Sequence, residues 1–153
     1  MTKYSHHYDS PAGRIYLAES GGVITELLFR PVENTVVEAT PLLLCAVEQL
    51  QEYFAGKRRD FDLPLAPAGT NFQKKAWNAL LKIPYGETRT YKEQAEAIGN
   101  VKACRAVGAA NGKNPISIFI PCHRVVGSDK TLTGYGGGLD MKKALLELEQ
   151  KYS

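Results

Sequence analysis

Apolar and polar residues alternate between Tyr4 and Phe29, and two short turn-forming segments interrupt the alternation. The first is Ser10-Pro11-Ala12-Gly13, and the second is Ser20-Gly21-Gly22. A period of two residues predicts strands with one buried face, and Gly and Pro between such runs predict tight turns. The sequence therefore predicts a small meander of three short antiparallel strands.

The spacing of apolar residues becomes helical after Thr40. Pro41 suits a first helical turn, and Gly56 stops the run. The apolar residues at helical spacing are Leu43, Val47, Leu50 and Phe54. We therefore predict one amphipathic helix that covers the sheet.

Residues 57–68 show no persistent period, and they contain Pro64 and Pro67. A stretch of this kind is typical of a domain boundary. We therefore predict two domains, residues 1–66 and residues 67–153. Because the first combines a sheet with a helix and the second shows helical patterns, the predicted fold class is α/β, of the α+β kind.

The second domain shows three helical patterns, which predict a mainly helical domain. The first begins at Thr70 or Asn71, where either residue can cap a helix. The next two cover residues 90–98 and 101–110, with Gly99-Asn100 as a turn between them. Two short helices joined by a tight turn have the outline of a helix-turn-helix. Many helical proteins contain such a pair, so the outline alone leaves DNA binding and plain packing both open.

The two predicted domains differ in charge. Residues 1–66 hold six basic and nine acidic side chains, a balance of −3, whereas residues 67–153 hold thirteen and seven, a balance of +6; the two give the net +3. A basic domain suits a polyanionic partner. Because such a surplus is also common in proteins that bind no nucleic acid, charge alone does not decide the function.

The chain has no run of about 18 apolar residues that could cross a bilayer, and no apolar N-terminal segment typical of a signal peptide. We therefore expect a cytoplasmic protein with no membrane role. The three cysteines, Cys45, Cys104 and Cys122, are far apart and lack the paired spacing of a zinc site. His6 and His7 have no cysteine nearby, so we expect no bound metal.

One segment joins an apolar run to reactive side chains. Residues 116–120 are apolar apart from Ser117, and Pro121-Cys122-His123-Arg124 follows them. We predict a buried strand that brings Cys122 to the edge of a pocket. Because neighbouring residues of a strand point to opposite sides, His123 can reach the sulfur only through a bent backbone or a bridging water. A coupled imidazole would raise the reactive thiolate fraction, which is small for a free cysteine near neutral pH.

Further short motifs surround this segment in the second domain. In chain order they are Tyr91, Arg105, Asn114-Pro115, Pro121-Cys122-His123-Arg124-Val125, Gly134-Tyr135-Gly136-Gly137-Gly138-Leu139 and Glu149. Their order and content closely resemble the methylated-DNA-protein cysteine methyltransferases, also known as O6-alkylguanine-DNA alkyltransferases. The resemblance covers residues 68–150, and the N-terminal 66 residues agree with the family only in layout.

The resemblance implies direct DNA repair without a cofactor. The alkyl group of O6-alkylguanine would pass irreversibly to Cys122, so that one protein molecule repairs one lesion. His123 would act through a water as general base, and Glu149 would hydrogen-bond its other ring nitrogen. Asn114 would hydrogen-bond the backbone between the DNA-binding helices and the active-site strand. Tyr91 would donate its hydroxyl to the ring of the departing guanine.

The resemblance also implies a partner: double-stranded DNA, bound in the minor groove by a monomer, with the damaged nucleotide flipped out of the stack. Arg105 would fill the space that the flipped base leaves. The other residues implied in DNA contact are Lys102, Ala103, Ala106, Gly108 and Lys113. The residues implied for the guanine pocket are Tyr91, Val125, Tyr135, Gly136 and Gly137. Because family members often carry Ser or Ala at the place of Gly136, we expect a wider or more mobile pocket.

Two other functions remain open on the sequence. A thiol hydrolase of another class could use Cys122 and His123 on a peptide or an ester, and it would turn over many times. A lesion-binding module could recognise alkylguanine without repairing it, although the retained Cys122 argues against this. Turnover and the fate of the thiol distinguish the three functions.

Overall fold

In the computed structural model, which describes residues 1–129 and 132–153, the N-terminal residues form a four-stranded sheet in the order β3-β2-β1-β4. The predicted antiparallel meander is confirmed. It consists of β1 (Lys3–Ser10), β2 (Gly13–Ser20) and β3 (Val23–Leu28). β4 (Val36–Val37) adds a short strand parallel to β1, which the sequence does not predict because two exposed valines carry no periodic signal.

The turn between β2 and β3 explains the two glycines in that segment. Ser20 pairs with Val23, so the turn has two central residues, Gly21 and Gly22. Both have a positive φ, of 62° and 81°. Such a two-residue hairpin loop favours glycine, because the mirror-image turn that matches the strand twist needs positive φ at both positions.

The predicted helix over the sheet is also confirmed, as α1 (Pro41–Phe54). Thr40 caps it, since its side chain accepts a hydrogen bond from Leu43 N at 3.3 Å. The helix buries one face against the sheet. The core residues that meet there are Leu43, Ala46, Leu50 and Tyr53 from α1 and Ile15, Leu17, Ile24 and Leu27 from the strands.

The C-terminal part is mainly helical, as predicted. It contains α2 (Asn71–Leu80), β5 (Arg89–Thr90), α3 (Tyr91–Ala97), α4 (Cys104–Gly112), a 3₁₀ helix (Cys122–Arg124), β6 (Val125–Val126) and α5 (Leu139–Tyr152). β5 and β6 pair in parallel and join the segment before α3 to the segment after Cys122. Both α2 and α3 begin with a capping box, Thr70 with Gln73 and Thr90 with Glu93.

α3 and α4 form the predicted pair of short helices, joined through Gly99, which has a φ of 79°. The second helix begins later than predicted, because residues 101–103 form a turn and α4 starts at Cys104. The side chain of Lys102 therefore precedes the helix. Lys102 and Arg105 are three residues apart and would share one face of the predicted helix over residues 101–110, but only Arg105 lies on α4.

The two parts of the chain share one hydrophobic core, which includes side chains from β2, α1, α2 and α5. The backbone also crosses between them. Leu27 N donates to Pro115 O at 2.8 Å, and Ser117 N donates to Leu27 O at 3.2 Å. The end of β3 is thereby fixed beside the segment that leads to Cys122.

The described residues contain neither a membrane-spanning helix nor a metal-binding group of side chains. No helix there is long and apolar enough to cross a membrane. Within residues 1–129 and 132–153, no three His, Cys, Asp or Glu side chains are grouped so that they could hold a metal ion.

Candidate active site

Cys122 lies at the start of the 3₁₀ helix, directly after Pro121. It is 7% exposed and borders a cleft of about 460 Å³. Residues around the end of β3, α3 and α4, the turn before Cys122 and the glycine-rich segment before α5 form the cleft. The lining residues are Leu28, Phe29, Arg30, Tyr91, Gly108, Asn111, Gly112, Asn114, Ser117, Cys122, Gly134, Tyr135 and Gly136.

The surroundings of the thiol act on its pKa in two directions. Burial raises the pKa of Cys122, and this effect prevails. The polar side chains of Asn114 and Ser117 and the positive charge of Lys142 act in the opposite direction. The thiol is therefore mostly protonated at neutral pH, and it needs a base in order to react as a nucleophile.

His123, the residue after Cys122, forms a buried pair with Glu149 of α5. Nε2 of His123 is 2.6 Å from Oε2 of Glu149, and the two side chains are 0% and 1% exposed. Burial lowers the pKa of His123, so the imidazole is neutral at neutral pH and donates its Nε2 proton to the carboxylate. Nδ1 has no hydrogen-bond partner among the described residues. This nitrogen can accept a proton.

Glu149 accepts hydrogen bonds from four of the described residues. Arg124 donates twice, from Nε to Oε1 at 2.8 Å and from a terminal nitrogen to Oε2 at 3.1 Å. Tyr53 and the backbone N of Gly86 complete the set with His123. Burial opposes ionisation of Glu149, but the hydrogen bonds and charges of His123 and Arg124 outweigh it and lower the pKa of Glu149 to about 2. The carboxylate is therefore ionised throughout the physiological range.

The apolar run before Cys122 is a tight turn, and the prediction of a buried strand there is wrong. Ile120 N donates to Ile116 O at 2.9 Å, and Ile118 has a φ of 70°, which is unfavourable for a β-branched residue. Asn114 holds both ends of the turn. Its Nδ2 donates to Ile120 O at 2.9 Å, and its Oδ1 accepts from Ile116 N at 3.0 Å. The 3₁₀ helix that follows gives residues 122–124 a bent backbone in place of an extended one.

Two tyrosines that the sequence singles out border the cleft. Tyr91 begins α3, and its hydroxyl shares a hydrogen bond with Thr133 Oγ1 at 2.6 Å. The Tyr135 ring stands edge-on to the imidazole of His123, with 6.5 Å between ring centres, and packs on Phe29 at 5.5 Å. Phe29 follows β3, so the N-terminal part of the chain supplies one wall of the cleft.

Of the other residues predicted for the pocket, only Gly136 lines the cleft. Gly137 does not line the cleft and is tightly packed, because an added Cβ would lie 2.6 Å from Met141 Sδ and 3.0 Å from the Phe29 ring. Val125 is fully buried in β6, and its carbonyl accepts a hydrogen bond from Lys142 Nζ at 2.7 Å. Gly137 and Val125 therefore support the pocket from outside its lining.

The residues predicted to contact DNA are spread along α4 and the turns beside it. Arg105 and Ala106 are exposed, and Arg105 lies one helical turn before Gly108, which lines the cleft. Lys113 is exposed just beyond the last residue of α4. Ala103 is 8% exposed and packs in an apolar cluster with side chains of α3, so it offers little surface to a partner.

Sequence reasoning missed several residues of this site. Arg124 belongs to the Cys-His-Arg motif, and its place beside His123 was the available signal for a link to Glu149. Phe29, Arg30 and Tyr53 come from the N-terminal part, and no local pattern marks them. Only the packing of the two parts of the chain brings these side chains to the site.

Two family profiles match almost the whole chain. The 6-O-methylguanine DNA methyltransferase ribonuclease-like domain matches residues 3–67, and the DNA binding domain of the same family matches residues 71–151. The chain belongs to the 6-O-methylguanine DNA methyltransferase family. The resemblance inferred from the motifs is confirmed, and it extends over the N-terminal residues as well.

Relatives of this methyltransferase family match along nearly their full length. A methylated-DNA–protein-cysteine methyltransferase of Methanosarcina barkeri is 51% identical over 148 residues, which are 93% of this chain and 94% of the relative. One from Mycobacterium bovis is 52% identical over 152 residues, 94% of this chain and 92% of the relative. The crystal structure of Mycobacterium tuberculosis OGT in complex with DNA has a TM-score of 0.87 at 50% identity and covers 98% of this chain and 94% of its own. The methyltransferase fold is thus shared over both parts of the chain.

Proposed function

We propose that this protein repairs O6-alkylguanine in double-stranded DNA by moving the alkyl group to Cys122 in one irreversible transfer. One observation carries the proposal: Cys122 lines a cleft that the helix pair α3 and α4 borders, and the next residue in the chain, His123, forms a buried pair with Glu149. The names of the relatives, methylated-DNA–protein-cysteine methyltransferases, support the same chemistry.

The transfer is a displacement at the alkyl carbon. Nδ1 of His123 takes the proton of the Cys122 thiol through a water, and the sulfur lone pair forms a new bond to the carbon. The carbon–O6 bond breaks, and its electron pair passes to the guanine. Tyr91 borders the cleft and can turn its hydroxyl from Thr133 to donate to the guanine ring, which stabilises the departing negative charge.

The thioether that forms ends the reaction. It carries no good leaving group, and the other two cysteines, Cys45 and Cys104, are free thiols elsewhere in the chain. We therefore propose that each molecule repairs one lesion, without a cofactor. A cytoplasmic location is part of this proposal, because the three cysteines are unpaired.

A stacked base cannot reach a thiol at the bottom of a cleft, so the damaged nucleotide must leave the duplex. Arg105 is exposed on α4, one helical turn from the lining residue Gly108, where its side chain can occupy the vacated space. Small side chains such as Ala106 allow α4 to approach the minor groove closely. Because that groove distinguishes bases poorly, we propose binding with little sequence preference. We also propose that the protein binds DNA as a monomer.

The decisive experiment is to incubate the protein with a duplex that contains O6-methylguanine and then to weigh its tryptic peptides. We expect one added methyl group on the peptide of residues 114–124, which trypsin releases after Lys113 and Arg124. Cys122→Ser should abolish transfer and leave lesion binding intact. Repeated turnover would instead support a hydrolase, and an unmodified Cys122 with tight lesion binding would support a non-repairing module.

The role of Arg105 has its own test. Arg105→Ala should slow transfer from a duplex more than it weakens binding to undamaged DNA, because the arginine acts when the base leaves the stack. Lys75→Ala is the matched control, since Lys75 is also an exposed cation but lies on α2, outside the residues implied in DNA contact. Transfer by Arg105→Ala at the wild-type rate would remove Arg105 from the proposal.

A further inference from the structure

Tyr53 connects the N-terminal part of the chain directly to the His123–Glu149 pair. Its hydroxyl donates to Oε2 of Glu149 at 2.6 Å, and the same oxygen accepts from Nε2 of His123 at 2.6 Å. Tyr53 lies on α1, 96 residues away from Glu149 in the sequence. We propose that Tyr53 is a positioning residue of the transfer reaction, which sets the basicity of His123 through Glu149. This inference rests on the proposed function.

The hydroxyl competes with the imidazole for one oxygen. Oε2 of Glu149 accepts from Tyr53, from His123 and from a terminal nitrogen of Arg124 at 3.1 Å. Each donor takes up part of the negative charge of the carboxylate, which leaves less to stabilise a proton on the imidazole. Burial and the nearby Glu149 raise the pKa of Tyr53 well above 10, so the phenol stays neutral and remains a donor.

The ring of Tyr53 packs in the core, and its hydroxyl is the group that contacts Glu149. The ring is fully buried against Phe54, Phe61 and Tyr85, with ring centres 5.2, 5.3 and 6.2 Å away. A phenylalanine would make the same ring contacts. Tyr53→Phe therefore removes the hydrogen bond to Glu149 and keeps the core filled, so it separates the two roles.

The expected direction follows from the charges around the imidazole. Without the Tyr53 hydroxyl, more of the charge on Glu149 acts on the imidazole, so the pKa of His123 rises. A protonated His123 cannot take the thiol proton, and the transfer rate then begins to fall at a higher pH. The other titratable or charged groups that face this pair are Cys122, Arg124, Lys142, Tyr85 and Tyr135. The substitution leaves all of them in place.

The test is the pH profile of single-turnover transfer from an O6-methylguanine duplex. We expect the acid limb for Tyr53→Phe to lie about half a pH unit or more above that of the wild type, as one hydrogen bond to a charged partner can produce. Affinity for undamaged duplex should be unchanged. Tyr8→Phe is the matched control, because Tyr8 belongs to β1 and packs on Phe54 at 6.3 Å, away from Glu149. Coincident profiles for the wild type and Tyr53→Phe would overturn the inference.

A second measurement tests the role of Tyr53 without requiring alkyl transfer. The pKa of His123 can be followed by nitrogen NMR in the full chain without DNA, and it should rise in Tyr53→Phe even if no alkyl transfer occurs. Incorporation of 3-fluorotyrosine at position 53 retains the hydroxyl and makes it a stronger donor, which should lower the pKa of His123. This variant decides the question if Tyr53→Phe does not fold. An unchanged pKa of His123 in either variant would contradict the inference.

Discussion

At the scale of single residues, the site is organised around Glu149 and the groups that donate hydrogen bonds to it. A buried carboxylate is costly unless charged groups and hydrogen bonds compensate it, and Arg124 supplies both. Arg124 also donates to Ile83 O at 2.7 Å, which fixes the guanidinium against the end of the α2 segment. Because His123 and Arg124 are consecutive in a 3₁₀ helix, one tight backbone turn directs both side chains to the same carboxylate.

The stability of the protein should depend on the ionisation of Glu149. Its pKa falls from 4.5 to about 2 on folding, so its contribution is fully present above pH 4.5 and is lost as the pH falls toward 2. A shift of this size corresponds to about 3 kcal/mol of unfolding free energy. Urea unfolding between pH 7 and pH 2.5 measures it.

Glu149→Gln is the comparison for this pH dependence. It should lower stability at pH 7, because Arg124 stays buried without a negative partner, and it should flatten the decline below pH 4.5. A decline of the same steepness in Glu149→Gln and in the wild type would assign the acid sensitivity to other carboxylates.

Gly136 and Gly137 should differ in their tolerance of a side chain. A Cβ at Gly137 would lie 2.6 Å from Met141 Sδ and 3.0 Å from the Phe29 ring, whereas a Cβ at Gly136 has only the Phe29 ring nearby, at 3.9 Å. We expect Gly137→Ala to cost about 1–3 kcal/mol of unfolding free energy and Gly136→Ala to cost less than about 0.5 kcal/mol. Thermal unfolding of both variants measures the difference, and equal losses would contradict the packing of Phe29 against this segment.

At the scale of elements, the position of α4 depends on hydrogen bonds from the helices behind it. Gln94 of α3 and Asn111 of α4 exchange two side-chain hydrogen bonds, at 2.9 and 2.8 Å. Trp77 of α2 donates its indole proton to Ala110 O at 2.8 Å. These buried contacts fix α4, so the face with Arg105 has a defined orientation before any partner arrives.

Breaking the link between α3 and α4 should destabilise the protein. Asn111→Ala leaves the buried Gln94 amide without this partner, and we expect a loss of about 1–3 kcal/mol of unfolding free energy. Asn78→Ala, on the exposed face of α2, should change it by less than about 0.5 kcal/mol. Urea unfolding of Gln94→Ala, Asn111→Ala and the double variant completes a cycle. Additive losses would show that the two side chains do not act together.

Local signals in the sequence predicted most of the elements. The glycine turns and the alternation gave the three antiparallel strands, and Thr40 and Thr70 cap α1 and α2, which they precede, because capping depends on near neighbours in the chain. The apolar run at residues 116–120 was misread as a strand, since an unbroken apolar stretch fits a strand, a helix or a buried turn equally well. Its actual shape depends on Asn114 and on packing against β3.

The residues of the site also differ in whether the sequence predicts them. Cys122, His123 and Glu149 were predictable, because a recognisable motif and a family pattern mark them. Phe29 and Tyr53 were not, because each reaches the site only when the N-terminal sheet and helix pack on the C-terminal helices. Tertiary contacts of this kind leave no periodic trace in a single sequence.

For the whole molecule, we propose that the domains predicted at residues 1–66 and 67–153 form one cooperative unit. The two parts share one core and the backbone hydrogen bonds between Leu27 and residues 115–117. Either part alone would therefore expose apolar side chains and backbone groups that are buried in the whole protein. In such a unit, an acidic part with a charge of −3 is joined to a basic part with a charge of +6. The basic part carries the helix pair.

The cooperative unit should be visible in unfolding. We expect hydrogen exchange to give β2 and α5 the same opening free energy, because both elements lose the shared core together. The separate fragment 67–153 should lack fixed tertiary structure, as its buried Ile116 and Leu145 would face water. A folded fragment, or two separate opening energies, would contradict this proposal.

The hydrogen bond from Trp77 to Ala110 also has a practical consequence. The chain contains a single tryptophan, so its tryptophan fluorescence comes from one indole. That indole is hydrogen-bonded to α4, the helix that carries Arg105. A displacement of α4 would alter the polarity around the indole and shift its emission wavelength. The unlabelled protein therefore contains its own optical reporter, and stopped-flow mixing can time any rearrangement of α4 against the appearance of modified protein.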